Sequence, residues 1–136
     1  NIVNHYIGMQ AIVPDSIPEL KFMPGIVGFL MLSGLLVAWK GGQRLLYLWL
    51  LLFSILAIVG LVDFYLWNYD FGHNLDTEHA AIQIEGMTYQ PPLFGTKTML
   101  NFVTTSLPSG GGILVIASIL MGFVAAFLNW RDSKAK

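Results

Sequence analysis

Three stretches without a charged residue constrain this chain more than any other feature: 23–39 (MPGIVGFLMLSGLLVAW), 45–62 and 113–130. Each has about 17 or 18 residues, which as a helix rising 1.5 Å per residue is near the lower limit for crossing a hydrocarbon core of about 30 Å. A soluble domain has no use for three such runs. Of the 136 residues, 55% are hydrophobic and only 11% charged, against roughly a quarter charged in soluble domains. The expected fold is an all-α integral membrane protein, one membrane domain over 1–136 with transmembrane helices at 23–39, 45–67 and 112–131. The second is extended past 62 because Phe64, Tyr65 and Trp67 suit the headgroup boundary. Around the spans lie a segment 1–22, a turn 40–44, a long loop 68–111 and a tail 132–136.

Orientation follows from where the cations fall. Lys40 and Arg44 flank the first turn, and Arg131, Lys134 and Lys136 lie in the tail; the other side holds only Lys21 and Lys97. Short loops rich in Lys and Arg stay cytoplasmic. The turn and tail are therefore expected inside, with 1–22 and 68–111 on the non-cytoplasmic side. The chain starts at Asn1 rather than Met, and an outward N-terminus implies an upstream signal peptide or further span in the precursor.

The two outward segments read as ordered. Pro14 and Pro18 break any long helix in 1–22, leaving a short helix and a turn. In the loop, Pro91 and Pro92 interrupt the chain, 98–107 reads as a short interfacial helix, and the glycines at 110–112 read as a bend into the third span. The two segments should pack on each other, since neither alone buries much apolar surface.

A net charge of −1 leaves no basic face for nucleic acid. Without cysteine, thiol chemistry, disulfides and sulfur-rich metal centres are excluded. No catalytic triad spacing, phosphate loop or His-Glu-x-x-His pattern occurs, and no enzyme is expected. The spans hold no buried charge and show no repeat, which argues against a transporter.

The chemistry that remains is clustered. His5, His73 and His79, the only histidines, fall in the outward segments with Met9 and Met87. If 4–10 is helical, His5 and Met9 share one face, and an imidazole beside a thioether suits copper. The candidate metal ligands are thus His5, Met9, His73, His79 and Met87, with copper the candidate cofactor; the competing reading of such a pair is ordinary packing. Asp63, Trp67 and Asp70 fall on one face of an extended second helix, either to meet a partner or simply as solvated boundary residues. Tyr89-Gln90-Pro91-Pro92 either presents Tyr89 and Gln90 to a partner or fixes the path of the loop. Gly25, Gly28 and Gly34 in the first span, with Gly122, Ala125 and Ala126 in the third, permit close helix contact and favour assembly.

Several strings carry a resemblance: NHYIGM at 4–9, PELKFMP at 18–24, GHNLD at 72–76, AAIQIEGMTYQPPLFGTK at 80–97 and LNF at 100–102. Together they resemble small multi-span bacterial membrane proteins associated with gene clusters for nitrous oxide reductase and its copper-handling accessories. The resemblance covers most of both outward segments. It implies a further span before NHYIGM and a role beside an outward-facing copper enzyme, and it implies no catalytic residue. Two functions are in view. One is an accessory protein or subunit supporting a copper-dependent respiratory enzyme through copper binding or delivery. The other is a non-catalytic structural subunit of a larger membrane complex with no metal of its own. The bilayer and other membrane or periplasmic subunits are the partners of either.

Overall fold

The computed structural model describes residues 2–76, 78–82 and 86–135, leaving aside the side chain of Val3; Lys136, counted above with the basic tail, lies outside the described residues. The elements are α1 (Ile2–Tyr6), a 3-10 turn (Pro14–Ser16), α2 (Pro18–Lys40), α3 (Gln43–His73), β1 (Gly95–Met99), β2 (Phe102–Ser106) and α4 (Gly110–Lys134). Helices α2, α3 and α4 are each long and apolar enough to cross a membrane. With 31 residues, α3 is about 46 Å long at 1.5 Å per residue, and it runs on to His73, beyond the expected 67. The chain divides into two compact units, Asn1–Pro14 with Gly60–Pro108 and Asp15–Val59 with Ser109–Lys136; α3 contributes to both.

The helical unit is built from short-range choices. Pro18 opens α2, where its missing N–H would have no helical partner and its fixed φ suits the first turn. Gly41 and Gly42 close it with φ of 68° and 106°, values a side chain disfavours. That two-residue connection sends α3 back along α2. Trp49 fastens the pair: its indole N–H lies 3.3 Å from the Leu30 carbonyl and 3.1 Å from the Ser33 hydroxyl. Gly34 makes room, since a Cβ there would stand 2.9 Å from the Trp49 ring. The α3–α4 contact is antiparallel as well. The Gln43 amide donates to the Asn129 carbonyl at 2.8 Å, Tyr47 donates to Ala126 at 3.4 Å, and Leu50 lies over Gly122. So two of the small residues read from the sequence, Gly34 and Gly122, do seat a neighbour, whereas Gly25 and Gly28 face open space. Outward from these contacts the helices are apolar all round, with Trp39, Leu36, Leu61, Leu114 and Met121 all more than half exposed.

The second unit has a core of its own. Ile7, Met9, Tyr89 and Met99 are buried together, with Phe71, Leu75, Met87, Leu100 and Phe102 packed against them. The N-terminal segment thus packs on the long loop, as expected. Main-chain bonds dock it: Asp76 N–H to Gly8 carbonyl at 2.7 Å and Ile82 N–H to Tyr6 carbonyl at 3.0 Å. The loop in turn returns to α3 through Tyr89 N–H to Gly72 carbonyl at 2.9 Å and through the buried Asn68, whose amide donates to Pro91 at 3.2 Å.

Three expectations are corrected. The fold is mostly helical rather than all-α, because 98–107 lies in an antiparallel hairpin with Gly95 opposite Ser106 and Met99 opposite Phe102. Val103, Thr104 and Thr105 are β-branched and fit a pleated strand better than a helix. The turn escaped notice because Leu100, at φ 55°, sits where Asn or Gly is usual. The glycines at 110–112 form the first turn of α4 rather than a bend, and none has positive φ. Tyr89 is 2% exposed, so 89–92 does not present it to a partner; the ring fills the core and the segment fixes the loop's path.

A Cβ on Gly72 would run into the Gln90 backbone, and one on Gly8, at φ +74°, would stand 2.5 Å from the Asp76 carbonyl oxygen. Gly72→Ala should therefore cost about 1–3 kcal/mol, as overpacking does, seen as faster hydrogen exchange at the Tyr89 and Asp76 amides of the whole chain in detergent. Gly60→Ala, in open space within α3, should be neutral or mildly stabilising through helix propensity; equal effects at both sites would refute the close-approach account. The buried Tyr89 hydroxyl has no hydrogen-bond partner among the described residues, and an unsatisfied buried group costs about 1–3 kcal/mol. Tyr89→Phe should leave stability unchanged or raised in the same exchange experiment.

Candidate functional site

The first helix ends in a way that brings His5 and Met9 together without a continuous helix. Gly8 takes the left-handed conformation; Met9 N–H bonds the Asn4 carbonyl at 2.9 Å, and Gly8 N–H bonds that of His5 at 3.5 Å. This is the glycine-terminated helix end in which two orphan carbonyls are recaptured. The helical spacing expected over 4–10 is therefore absent, since α1 stops at Tyr6. Even so, His5 and Met9 border one recess of about 300 Å³, together with Gln10, Asp76, His79 and Ala80.

Asp76 organises the loop side of that recess. Its carboxylate accepts the Glu78 and His79 backbone N–H groups at 3.1 and 3.2 Å, the short-range turn that Asp side chains favour. It also accepts His79 Nδ1–H at 3.0 Å. A carboxylate only accepts, so the proton is on Nδ1, and Nε2 of neutral His79 keeps its lone pair. The His79 backbone N–H holds the Asp76 carboxyl below its ordinary value of 3.8 against the opposing effect of desolvation, with lesser help from the His79 side chain, the Glu78 N–H and the His79 charge.

His73 is held by the same logic at another place. It is the last residue of α3, its Nδ1 donates to the Tyr69 carbonyl at 2.8 Å, and its ring stacks on Tyr69 at 3.8 Å between centroids. In the neutral ring its Nε2 is then the nitrogen with the lone pair. Met87 packs against the core cluster. The structure thus brings His5, Met9 and His79 to one recess and puts neither His73 nor Met87 on its lining. Among the described residues, no three His, Asp or Glu side chains converge as a metal cluster. Sequence reasoning passed over Asp76, although an Asp three residues before a His is a visible sign of a carboxylate-anchored imidazole.

The acidic face of α3 resolves into separate local roles. Asp70 accepts from the Asn74 amide at 3.0 Å, and Trp67 stacks on Phe71 with centroids 4.9 Å apart. Trp67 and Phe71 also border an apolar hollow of about 160 Å³ with Ile7, Met9, Met99 and Phe102.

No family model, curated protein or solved structure matches this chain.

Because the folded-state carboxyl is depressed, its contribution to the turn is complete above 3.8 and is lost as pH falls through the lowered value. Carbon NMR of the whole chain in nanodiscs should place the Asp76 midpoint below 3.8, with the Glu78 and His79 amides losing protection in that same acid window. A midpoint at or above the ordinary value would refute the arrangement.

Proposed function

We propose that this chain is a non-catalytic integral membrane subunit or accessory protein of the bacterial inner membrane, supporting an extracytoplasmic copper-dependent respiratory enzyme. The observation that carries the membrane part is the contrast within the molecule. Helices α2, α3 and α4 leave large apolar side chains exposed on every side, while the ordered polar chemistry and a separate core belong to the Asn1–Pro14 and Gly60–Pro108 unit. Exposed apolar surface on this scale is stable only under an apolar cover. The basic turn and basic tail support the orientation. Gln43, between Lys40 and Arg44, is bonded to Asn129, two residues before Arg131, so the cations gather at one end of the helical unit, as cytoplasmic loops require.

The copper part is supported by the state of the histidines. His79 and His73 both commit Nδ1–H to an acceptor and leave Nε2 bare, and His79 does so through a carboxylate, the outer-shell partner typical of metal-bound imidazole. Met9 adds a thioether to the recess shared with His5 and His79, a donor that favours Cu(I). When bound, copper would be held there for transfer or for a neighbouring enzyme; His79 and His5 would ligate, and Asp76 would keep His79 in the ligating tautomer. The likeness of NHYIGM and YQPPLFGTK to proteins from nitrous oxide reductase gene clusters points the same way. A second reading, a structural subunit with no metal, is favoured by the burial of Met9 and the packing of Met87 in the core.

The chain lacks cysteine, so single cysteines report cleanly. In intact cells an impermeant thiol reagent should label Asn74→Cys and not Gln43→Cys; the reverse pattern overturns the orientation. Competition with a Cu(I) chelator should show binding by the purified protein that weakens with acid, because a ligating imidazole must be neutral. It should fall about tenfold or more in Asp76→Ala, the effect of losing an outer-shell partner. Binding unaffected by His5→Ala with His79→Ala would leave the structural reading.

A further inference from the structure

The hairpin of β1 and β2 has two unlike faces. Along β2, Phe102, Thr104 and Ser106 are partly buried while Val103 and Thr105 are exposed, the alternation of a half-covered strand. On β1, Thr96 and Thr98 face the same way as Thr105 and Val103, their cross-strand partners, and the two hydroxyls of Thr96 and Thr105 lie 3.1 Å apart. Carrying the alternation one residue past each strand end adds Phe94 and Leu107. Phe94 is 72% exposed and Val103 and Leu107 are each 67% exposed. The face therefore consists of three large apolar side chains and three threonines. It carries no charge, because the strands' one cation, Lys97, bonds the Gln90 carbonyl and pairs with Thr104 on the opposite face.

Two further observations say what covers it. No charged residue occurs between Lys97 and Arg131, so the uncharged stretch runs without interruption from the hairpin through α4. Leu107 is three residues before Gly110, where α4 begins, and a chain reaches at most about 3.6 Å per residue. The open end of the hairpin is therefore tethered within about 11 Å of the first residue of a helix long enough to cross a bilayer. Its partner strand begins at Gly95, opposite Ser106, which brings Phe94 to the same end.

We infer that the Phe94, Val103 and Leu107 face of the hairpin is an interfacial anchor, seated on the lipid headgroup and upper acyl region of the bilayer. This rests on the reading of α4 as membrane-spanning. Aromatic and aliphatic side chains among hydroxyls suit that boundary, where apolar bodies are covered and short polar groups stay hydrated. A soluble partner could use the same face only by competing with the lipid beside it. The anchor would fix the tilt of the hairpin and, through Met99 and Phe102 on its inner side, the core beneath it.

The test uses the whole chain reconstituted in phosphatidylcholine vesicles, with an environment-sensitive fluorophore on one introduced cysteine at Val103, Leu107, Asn101 or Ile116. The labels at 103 and 107 should emit to the blue of the label at 101, lose most emission to lipids carrying a shallow nitroxide, and resist aqueous iodide. The label at 116 should be quenched best by deep nitroxides. Iodide quenching at 103 and 107 as free as at 101, with 116 still lipid-quenched, overturns the anchor and leaves the spans standing. Shielding at 103 and 107 from both iodide and lipid nitroxides also overturns it, in favour of a protein cover. Iodide access at 116 would instead overturn the membrane reading on which the anchor rests.

Discussion

Backbone touching backbone at two glycines is the contact on which the polar half of this protein depends. At Gly8 the chain turns with positive φ and its carbonyl receives the Asp76 N–H; at Gly72 the surface of α3 is bare enough for Gln90 to lie against it and for Tyr89 to bond the helix carbonyl. Main-chain hydrogen bonds between segments far apart in sequence need both chains within about 3 Å, and a side chain at either place would hold them apart. Once the contacts close, Ile7, Met9, Tyr89 and Met99 have one another to pack on, and the apolar residues of the loop gain a core.

The same docking creates the recess. His5 and Met9 come from the first helix end, Asp76 and His79 from the loop, and the Gly8 to Asp76 and Tyr6 to Ile82 main-chain bonds make them neighbours. Asp76 then does two things with one carboxylate: it closes the turn over Glu78 and His79, and it fixes which nitrogen of His79 carries the proton. A neutral imidazole oriented in this way keeps Nε2 clear of that carboxylate, the feature on which the proposed copper site rests.

The helical unit is organised on different terms. Its specific contacts are few: Trp49 on Leu30 and Ser33, Gln43 on Asn129, Leu50 over Gly122. Between helices that are apolar on every side, burial gives little reason to prefer one contact over another, so small residues and single polar side chains set the register. Gly34 and Gly122 matter because each receives a large neighbour, while Gly25 and Gly28 have none; composition alone does not separate the two cases.

The sequence by itself determined the three long apolar helices, the hairpin turn at Gly41 and Gly42, and the packing of the first residues on the long loop, because uninterrupted hydrophobic length, glycine and the need to bury apolar surface act locally or by simple count. It also marked His5, Met9, His73, His79 and Met87 as a group. Only the tertiary structure decided that His73 and Met87 lie off the lining of the recess, that Asp76 lies on it, and that Tyr89 is a core residue. Those outcomes depend on which distant segments meet, and the meeting is set by backbone geometry at Gly8 and Gly72 that no periodicity records. The β-hairpin was missed for a related reason. Its strands are short and their alternation shows only once one face is covered by the core, and its turn is made by Leu100 at a positive φ that the fold imposes on a residue that does not favour it.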